Sequence, residues 1–451
     1  FADKKQLAAH LERMEEARKR DHRVLGKQLR LFHIDEKVGQ GLILWTPNGA
    51  VVRQELMNFI GEELRKQGYH QVFTPHIGKL DLYRTSGHFP YYQESQYTPV
   101  VDRGQLHELA EEGCTCGELA NRLDDGEIEG YLLKPMNCPH HIQIYASEPH
   151  SYRDLPVRLA EFGTVYRWEQ SGEISGMTRV RGFTQDDAHL FVTEDQIAQE
   201  VLGCIELVQI IFGTLGMDDY RVRVGLRDPD STKYVGDPAR WDKAEQACRD
   251  AAESLGVAWT EEPGEAAFYG PKIDIQFRTL LGREESMSTI QLDFAAKERF
   301  GLSYTDETGS DNSEVFVIHR APLSTHERFV AFLTEHWAGN FPSWLSPVQV
   351  QIITISEKHK QYAEQVREAL ELAGVRVRVD DSDNTIGKKI RTHRKIRPAY
   401  MVILGDDEMS DRTVSIRGRG GNQKNGVSLD DFVSDVFAEI SNRSREPSLD
   451  E

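Results

Sequence analysis

The chain is 451 residues long, with 39% hydrophobic and 28% charged residues and a formal net charge of −19. At roughly 150 residues per domain this is an ordinary globular composition with room for about three domains, and so acidic a balance excludes a protein that coats nucleic acid indiscriminately, because neutralising phosphates takes clustered cations. No apolar run approaches the ~20 residues that span a bilayer and no signal-like start is present, so a cytoplasmic protein with no membrane partner is expected.

In chain order, Leu7, Leu11, Met14, Leu25 and Leu29 recur among charges within residues 1–34, a spacing that predicts one long amphipathic linker helix over 2–32. Residues 35–345 mix a helix over 50–67 with strands over 71–75, 158–168, 181–192, 272–279, 287–294 and 315–319. Their uneven spacing, without regular βαβ units, predicts an α+β domain on an antiparallel sheet. Within it, 96–130 is acidic, carries glycines and is poor in β-branched residues, and reads as a surface insertion. Past Pro342 and Pro347, strands over 348–355, 375–380, 400–405 and 413–417 alternate with helices over 359–373, 387–395 and 429–440. That alternation predicts a separate small α/β domain over 346–451 with a mainly parallel sheet, ending after Ser441 in a disordered polar tail.

Five cysteines, at 114, 116, 138, 204 and 248, are too few and too scattered for a disulfide framework. One of them joins a candidate metal site. Cys138 follows the short apolar run 131–133, His189 lies in an Arg-, Gln- and Asp-rich strand-like segment, and His319 ends the β-branched run 315–318. Paired C-x-x-C or H-x-x-x-H spacing, the mark of a closed structural zinc site, is missing, so these residues read as three ligands of one zinc with its fourth position open to substrate. The alternative, a buried thiol and two core histidines, is the commoner fate of three such residues taken alone, and it is the motif context given below that turns the reading to a metal. Cys114-x-Cys116 with His107 lacks a fourth donor and reads as a surface helix-turn. The segment 387–398 (GKKIRTHRKIRP) packs seven basic side chains, His393 included, into twelve residues, and Arg179 and Arg181 form a second patch. Such a run is either a solvated helix face or an RNA contact.

Three collinear segments then name a family. LKPMNCPHHIQ (133–143), FGTVYRWEQSGEISGMTRVRGFTQDDAHL (162–190) and HRAPLSTHERF (319–329) resemble threonyl-tRNA synthetases, class II aminoacyl-tRNA synthetases. The resemblance implies ligation of L-threonine to tRNA(Thr) through an adenylate, with ATP, Mg²⁺ and one Zn²⁺ per subunit. By the same resemblance Arg167 is the motif 2 arginine on the α-phosphate and the carboxylate, Glu169 and Arg179 are its ATP-site neighbours, and Arg328 is the motif 3 arginine on the γ-phosphate. Asp187 and Gln185 fall on one sheet face with His189 by period-2 alternation. The resemblance makes Asp187 the acceptor of the threonine hydroxyl, with Met136, Gln185, Tyr269 and Gln291 as pocket residues and Lys272 among the catalytic ones. It also sets His88 near the terminal ribose of tRNA as a proton-transfer candidate, and Glu408 and Arg417 on anticodon bases. Segment 39–75 is similar to motif 1, which implies a homodimer.

The chain begins at Phe1 rather than Met, and the editing portion such enzymes carry before the linker helix is expected to lie outside it. Three departures stand out: His140 where relatives have Gly, a metal-competent group beside Cys138; Ser324 where motif 3 has Gly; and the length of the 97–130 insertion. Two other readings stay open, an inactive paralogue that binds RNA, and a synthetase-like enzyme that activates another small amino acid.

Overall fold

The computed structural model describes every residue except 1, 2, 90–92, 232, 235, 236, 280, 281, 283 and 449–451. The expected single linker helix is two helices, α1 (Lys4–Arg20) and α2 (His22–Leu29). Asp21 makes the break: its backbone is extended (φ −49°, ψ 123°) and its carboxylate caps α2 by accepting the Arg23 N–H. Helix α3 (Pro47–Lys66) starts with proline at its first turn and buries Val52, Leu56, Phe59, Ile60 and Leu64 on one stripe. Each such side chain contributes about 1.5–3 kcal/mol of burial. The short helix α4 (Cys138–Ala146) also carries a proline, Pro139, in its first turn.

The main sheet has eight strands: β1 (His70–Gln71), β2 (Val157–Tyr166), β3 (Gly182–Val192), β4 (Tyr220–Leu226), β5 (Trp259–Pro263), β6 (Lys272–Arg278), β7 (Glu284–Asp293) and β8 (Phe316–Ala321). Their order is β1-β2-β3-β8-β7-β6-β4-β5, antiparallel through the middle, with a parallel pair at each edge. The α+β expectation is met; β4 (YRVRVGL) alternates Arg with Val yet was passed over, and β5 (WTEEP) carries no apolar alternation. Back-face residues Ala188, Leu190, Val192, Ile273, Ile275, Ile290, Leu292 and Ile318 join the main core with α3, α5 (Ile197–Thr214) and α6 (Pro238–Ser254). The run Glu194–Thr214 is, by length and composition, apolar enough to cross a membrane, contrary to the expectation that no such run exists. Half of it is buried inside the fold, where Cys204, Leu207 and Ile211 are fully covered.

The insertion is less superficial than expected. Its two helices, Arg103–Glu111 and Cys116–Asp125, bury Leu109, Leu123 and nearby Ile128 against Leu80, Tyr83, Phe89 and Leu132. Cys116 is exposed and simply opens its helix, behind a capping box made by Thr115 and Glu118.

The second sheet holds β9 (Val350–Thr354), β10 (Val377–Asp380), β11 (Tyr400–Leu404), β12 (Thr413–Arg417) and β13 (Gln423–Ser428), ordered β10-β9-β11-β12-β13. Two of its ladders are parallel and two antiparallel, so it is mixed rather than mainly parallel. The polar strand β13 carries no apolar alternation, which is why it was missed. This unit rests on the first helices: Arg376 pairs with Glu55, Arg378 donates to the Asn48 side chain, and Gln28 donates to the Lys395 carbonyl. Beyond Ser441 the chain is held rather than disordered through Ser448, where Arg443 pairs with Glu62, Arg445 with Asp218, and Ser448 donates to Glu439.

Candidate active site

Strand register gathers the candidate residues. Leu159, His189, His319, Gln291, Lys272 and Gly225 are successive cross-strand partners, forming one row on the face away from the main core. Asp187, two residues before His189, faces the same way beside Glu161. Above the row, Cys138 is the first residue of α4.

Donor atoms of Cys138, His189 and His319 lie within 4.8 Å of one another. A tetrahedral zinc with bonds of about 2.0–2.3 Å separates its ligands by about 3.3–3.8 Å, so the set fits after a small contraction, with one position left over. Burial pushes the Cys138 thiol far up, and Asp187 and Asp293 push the same way. Burial and the neighbouring His319 hold His189 well below its ordinary value, in the neutral form that ligates. His140 does not join this cluster. Its ring packs edge-on to Tyr83 at 6.1 Å and lies over Gly78, and burial lowers its pKa to about 4.

Four neighbours that sequence reasoning passed over support the row. Asn137 donates to Asp187 at 3.1 Å, and it can lie there because Gly163 has no Cβ to collide with its amide. His141 Nδ1 is 2.8 Å from His189 Nδ1, and its Nε2 is 3.1 Å from Glu161. Asp293 Oδ2 lies 3.4 Å from His319 Nε2 and accepts from Arg299 at 2.8 Å. A signal for Asp293 was present: it stands two residues beyond Gln291 in one strand, hence on the same face. His141 was visible in PMNCPHH, yet nothing in spacing told it from His140.

The remaining candidates divide between this cleft and elsewhere. Tyr269 donates to Gln291 at 3.0 Å and its ring lies 5.5 Å from that of His319. Arg167 donates to the Pro135 carbonyl at 3.3 Å with its guanidinium 5.2 Å from the Phe183 ring, while Arg328 donates to the Thr178 carbonyl at 3.0 Å. Burial lowers the Arg167 pKa and Arg328 adds to that, which marks two cations converging. Arg179 pairs with Glu169 at 2.8 Å. Met136 and Gln185 are half-buried beside Asn137 and Asp187 in sequence and register. Lys272 is turned along the sheet to Asp274, 3.1 Å away. His88 is 5% exposed, shares a 2.7 Å hydrogen bond between its Nδ1 and Ser86 Oγ, and is lowered to about 3, chiefly by burial and then by Arg299, His319 and Arg167. Glu408 and Arg417 lie in the second sheet unit, apart from the cleft. Glu408 is occupied internally, accepting from Gly405 N–H at 2.8 Å and Ser415 Oγ at 2.6 Å.

The basic segment 387–398 lines a cleft with Arg391, Arg394, Lys395, Arg397 and Arg419. An adjoining cleft shares Asn340 and Arg419 and adds Arg20 and Arg445, with Glu446 the one acidic side chain lining either among the described residues.

Comparison with known proteins covers both units of the chain. Residues 121–337 match the tRNA synthetase class II core domain (G, H, P, S and T), and 349–439 match an anticodon binding domain. The chain is 50% identical over 447 residues to the threonine–tRNA ligase of Deinococcus radiodurans, covering 98% of this chain and 65% of that one. Against a threonine–tRNA ligase of Thermus thermophilus it is 47% identical over 447 residues, covering 99% of this chain and 65% of that one. The chain thus spans about two thirds of the length of these curated relatives, 65% in both cases. The crystal structure of the RNA binding domain of threonyl-tRNA synthetase from Cryptosporidium parvum Iowa II superposes with a TM-score of 0.83 at 37% identity, covering 93% of this chain and 98% of that one.

Proposed function

Since the chain belongs to the threonyl-tRNA synthetase family, we propose that it joins L-threonine to ATP and passes the threonyl group to tRNA(Thr), with one Zn²⁺ per subunit selecting the amino acid. The observation that carries this is the convergence of Cys138, His189 and His319 beside Asp187 on one sheet face. These three side chains would hold the zinc, which when bound supplies a Lewis acid for the amine and hydroxyl of threonine.

The chain's own residues do the rest. Asp187 accepts the threonine hydroxyl, its other contact fixed by Asn137. Tyr269 and Gln291, hydrogen-bonded to each other, close the side of the pocket next to His319. Arg167 clamps the α-phosphate and the attacking carboxylate, Arg328 the γ-phosphate, and both are pre-aimed by carbonyls from Pro135 and Thr178, so the charge of in-line displacement meets cations that need no reorganisation. Mg²⁺ accompanies the ATP. Glu169, held by Arg179, takes the adenine side. His88 is neutral and a weak base at its lowered pKa, which suits it to accept a hydrogen bond from the ribose better than to store a proton.

In the second unit, Glu408 would have to exchange its Ser415 contact for a base edge, and Arg417 stands half-buried at the end of β12. The basic clefts around Arg391, Arg394 and Lys395 supply a surface for the RNA backbone in an otherwise acidic chain. Phe73, 83% exposed just beyond edge strand β1 in the motif 1 segment, supports a homodimer that covers it. We place the reaction in the cytoplasm. ATP–pyrophosphate exchange with threonine, valine and serine, before and after chelation, tests the proposal. Exchange with threonine that is absent from the start, or untouched by thorough chelation, would refute it.

A further inference from the structure

We infer that His141 and Glu161 are positioning residues that choose which nitrogen of His189 carries the proton, and so present its Nε2 to the metal. This rests on reading Cys138, His189 and His319 as metal ligands.

An imidazole can ligate through only one nitrogen, and it does so only if the proton sits on the other. His189, 1% exposed, has no solvent to help it choose. Its Nδ1 instead meets Nδ1 of His141 at 2.8 Å, with the rings nearly perpendicular at 87°. Two ring nitrogens so close share one hydrogen; two protons would collide and two lone pairs would repel. Which ring donates is decided at the far side of His141. There Nε2 faces Glu161 Oε2 at 3.1 Å. Glu161 is the focus of four donors: the Thr74 N–H at 2.8 Å, the Thr74 hydroxyl at 2.8 and 3.1 Å, Lys134 Nζ at 3.6 Å, and His141 itself. Lys134 is fully buried and also donates to Thr74 Oγ1 at 2.7 Å, so the ammonium and the carboxylate form one internal group.

A carboxylate so surrounded is an acceptor. His141 Nε2 therefore carries hydrogen and donates to it, which leaves Nδ1 of the neutral ring with its lone pair. His189 Nδ1–H donates to that lone pair, and the free lone pair of His189 falls on Nε2. Direction runs from the carboxylate through one imidazole to the next, a two-ring version of the carboxylate–histidine pairs found behind metal ligands. The second histidine ligand is set differently: Asp293, held by Arg299, lies directly against His319 Nε2. Register explains why the relay needs two rings on one side. Glu161 is the cross-strand partner of Asp187, not of His189, so its carboxylate reaches His189 only through a side chain from α4.

The test is zinc affinity of the whole 451-residue chain, measured by competition with a chromophoric chelator, together with the visible spectrum of the Co²⁺-loaded protein. His141→Leu removes the relay and is expected to weaken Zn²⁺ binding about 10–100-fold and to shift the cobalt bands. Glu161→Gln, whose amide can face His141 with either end, is expected to weaken it less. His141→Gln keeps a carbonyl for His189 and an amide N–H for Glu161, and is expected to restore affinity to within a few-fold of the parent. That rescue separates direction-setting from filling of space. Equal affinity and cobalt spectra in the parent and His141→Leu would overturn the inference, as would equal loss in His141→Gln and His141→Leu. A parent chain that takes up no stoichiometric metal would instead remove the site reading beneath it.

Discussion

His189 on β3 and His319 on β8 are register partners across an antiparallel ladder, their rings 4.6 Å apart between centroids and set at 83°. Side chains directly opposite in such a ladder are about 5 Å apart at Cβ, which brings two imidazoles of distant sequence to one point without any loop to position them. Cys138 comes from the start of a helix above. The rigid strands therefore fix two donors and the helix brings the third. Cys138→Ser is expected to lower zinc affinity at least about 100-fold, more than loss of any supporting residue, and to abolish the cobalt–thiolate charge-transfer band. Stoichiometric zinc retained in that variant would contradict the assignment.

Selectivity follows from what the pocket must satisfy. If Asp187 and a metal both await a hydroxyl, valine leaves both without a partner, and discrimination of about 10⁴–10⁵ in exchange rate is expected. Serine lacks only a methyl group, so the chain is expected to activate it within roughly 10–200-fold of threonine and to form seryl-tRNA. Asp187→Ala should cut threonine activation by orders of magnitude while barely changing valine, narrowing the ratio. Side-by-side exchange assays decide this; an unchanged ratio would remove Asp187 from the hydroxyl.

Much of this was legible in the chain, and the failures have identifiable causes. The strands that build the row were readable because their alternation is enforced by a buried back face, as in Leu190 and Val192 against His189 and Phe191. The grouping of Cys138, His189 and His319 was readable through the motif segments that carry them, because residue type alone would have favoured a buried thiol and two core histidines. Their supports were harder to read: Glu161 gains meaning only from register, a property of pairs of strands, and His141 only from the placing of α4 over the sheet, while Asp293 shared a strand face with Gln291 and was overlooked. The linker helix was misread because Asp21 looks like any helical acid until its backbone turns extended and it caps α2. The mixed second sheet was misread because β13, QKNGVS, has almost no apolar alternation and is specified by its hairpin with β12.

His326 gives the fold a pH dependence. It is completely buried against Phe162 with neither ring nitrogen hydrogen-bonded, and burial lowers it from 6.5 to about 3. The unfolded chain therefore takes up a proton below pH ~6.5 that the folded chain refuses until about 3. More protons on the unfolded side mean stability that is full above pH ~6.5 and falls as pH drops through that window, by about 1.4 kcal/mol per unit. His326→Phe should lessen the loss between pH 7 and pH 5 by about 2 kcal/mol, measured by urea unfolding at both values. An unchanged difference would place the acid sensitivity elsewhere.

Ser324, the residue before the cap of the motif 3 helix His326–His336, has φ 58°, in the left-handed region that favours glycine. A residue with a Cβ held there costs of order 1 kcal/mol, partly offset by the extra freedom glycine has when unfolded. Ser324→Gly is expected to raise stability by up to about 1 kcal/mol and Ser324→Val to lower it by more than that, because β-branching sharpens the clash. Opposite signs in thermal unfolding check the pair.

The basic clefts between the first helices and the second sheet can be tested without knowing which nucleotides they touch. Arg397 and Arg419 are spent on carbonyls from Ala338, Phe341 and Pro398, so they tie the units together. Arg391, Arg394 and Lys395 are exposed and point their charge outward. If they neutralise phosphates, each releases counterions on binding, and log affinity falls with log salt by about 0.7–0.9 per contact. The triple alanine variant should then bind tRNA more weakly, reduce the magnitude of the salt slope by about 2–3, and raise KM for tRNA far more than it lowers kcat. Because such contacts carry no sequence information, non-cognate tRNA should lose as much affinity as tRNA(Thr). A salt slope equal to the parent's would mean that these cations only solvate a helix face.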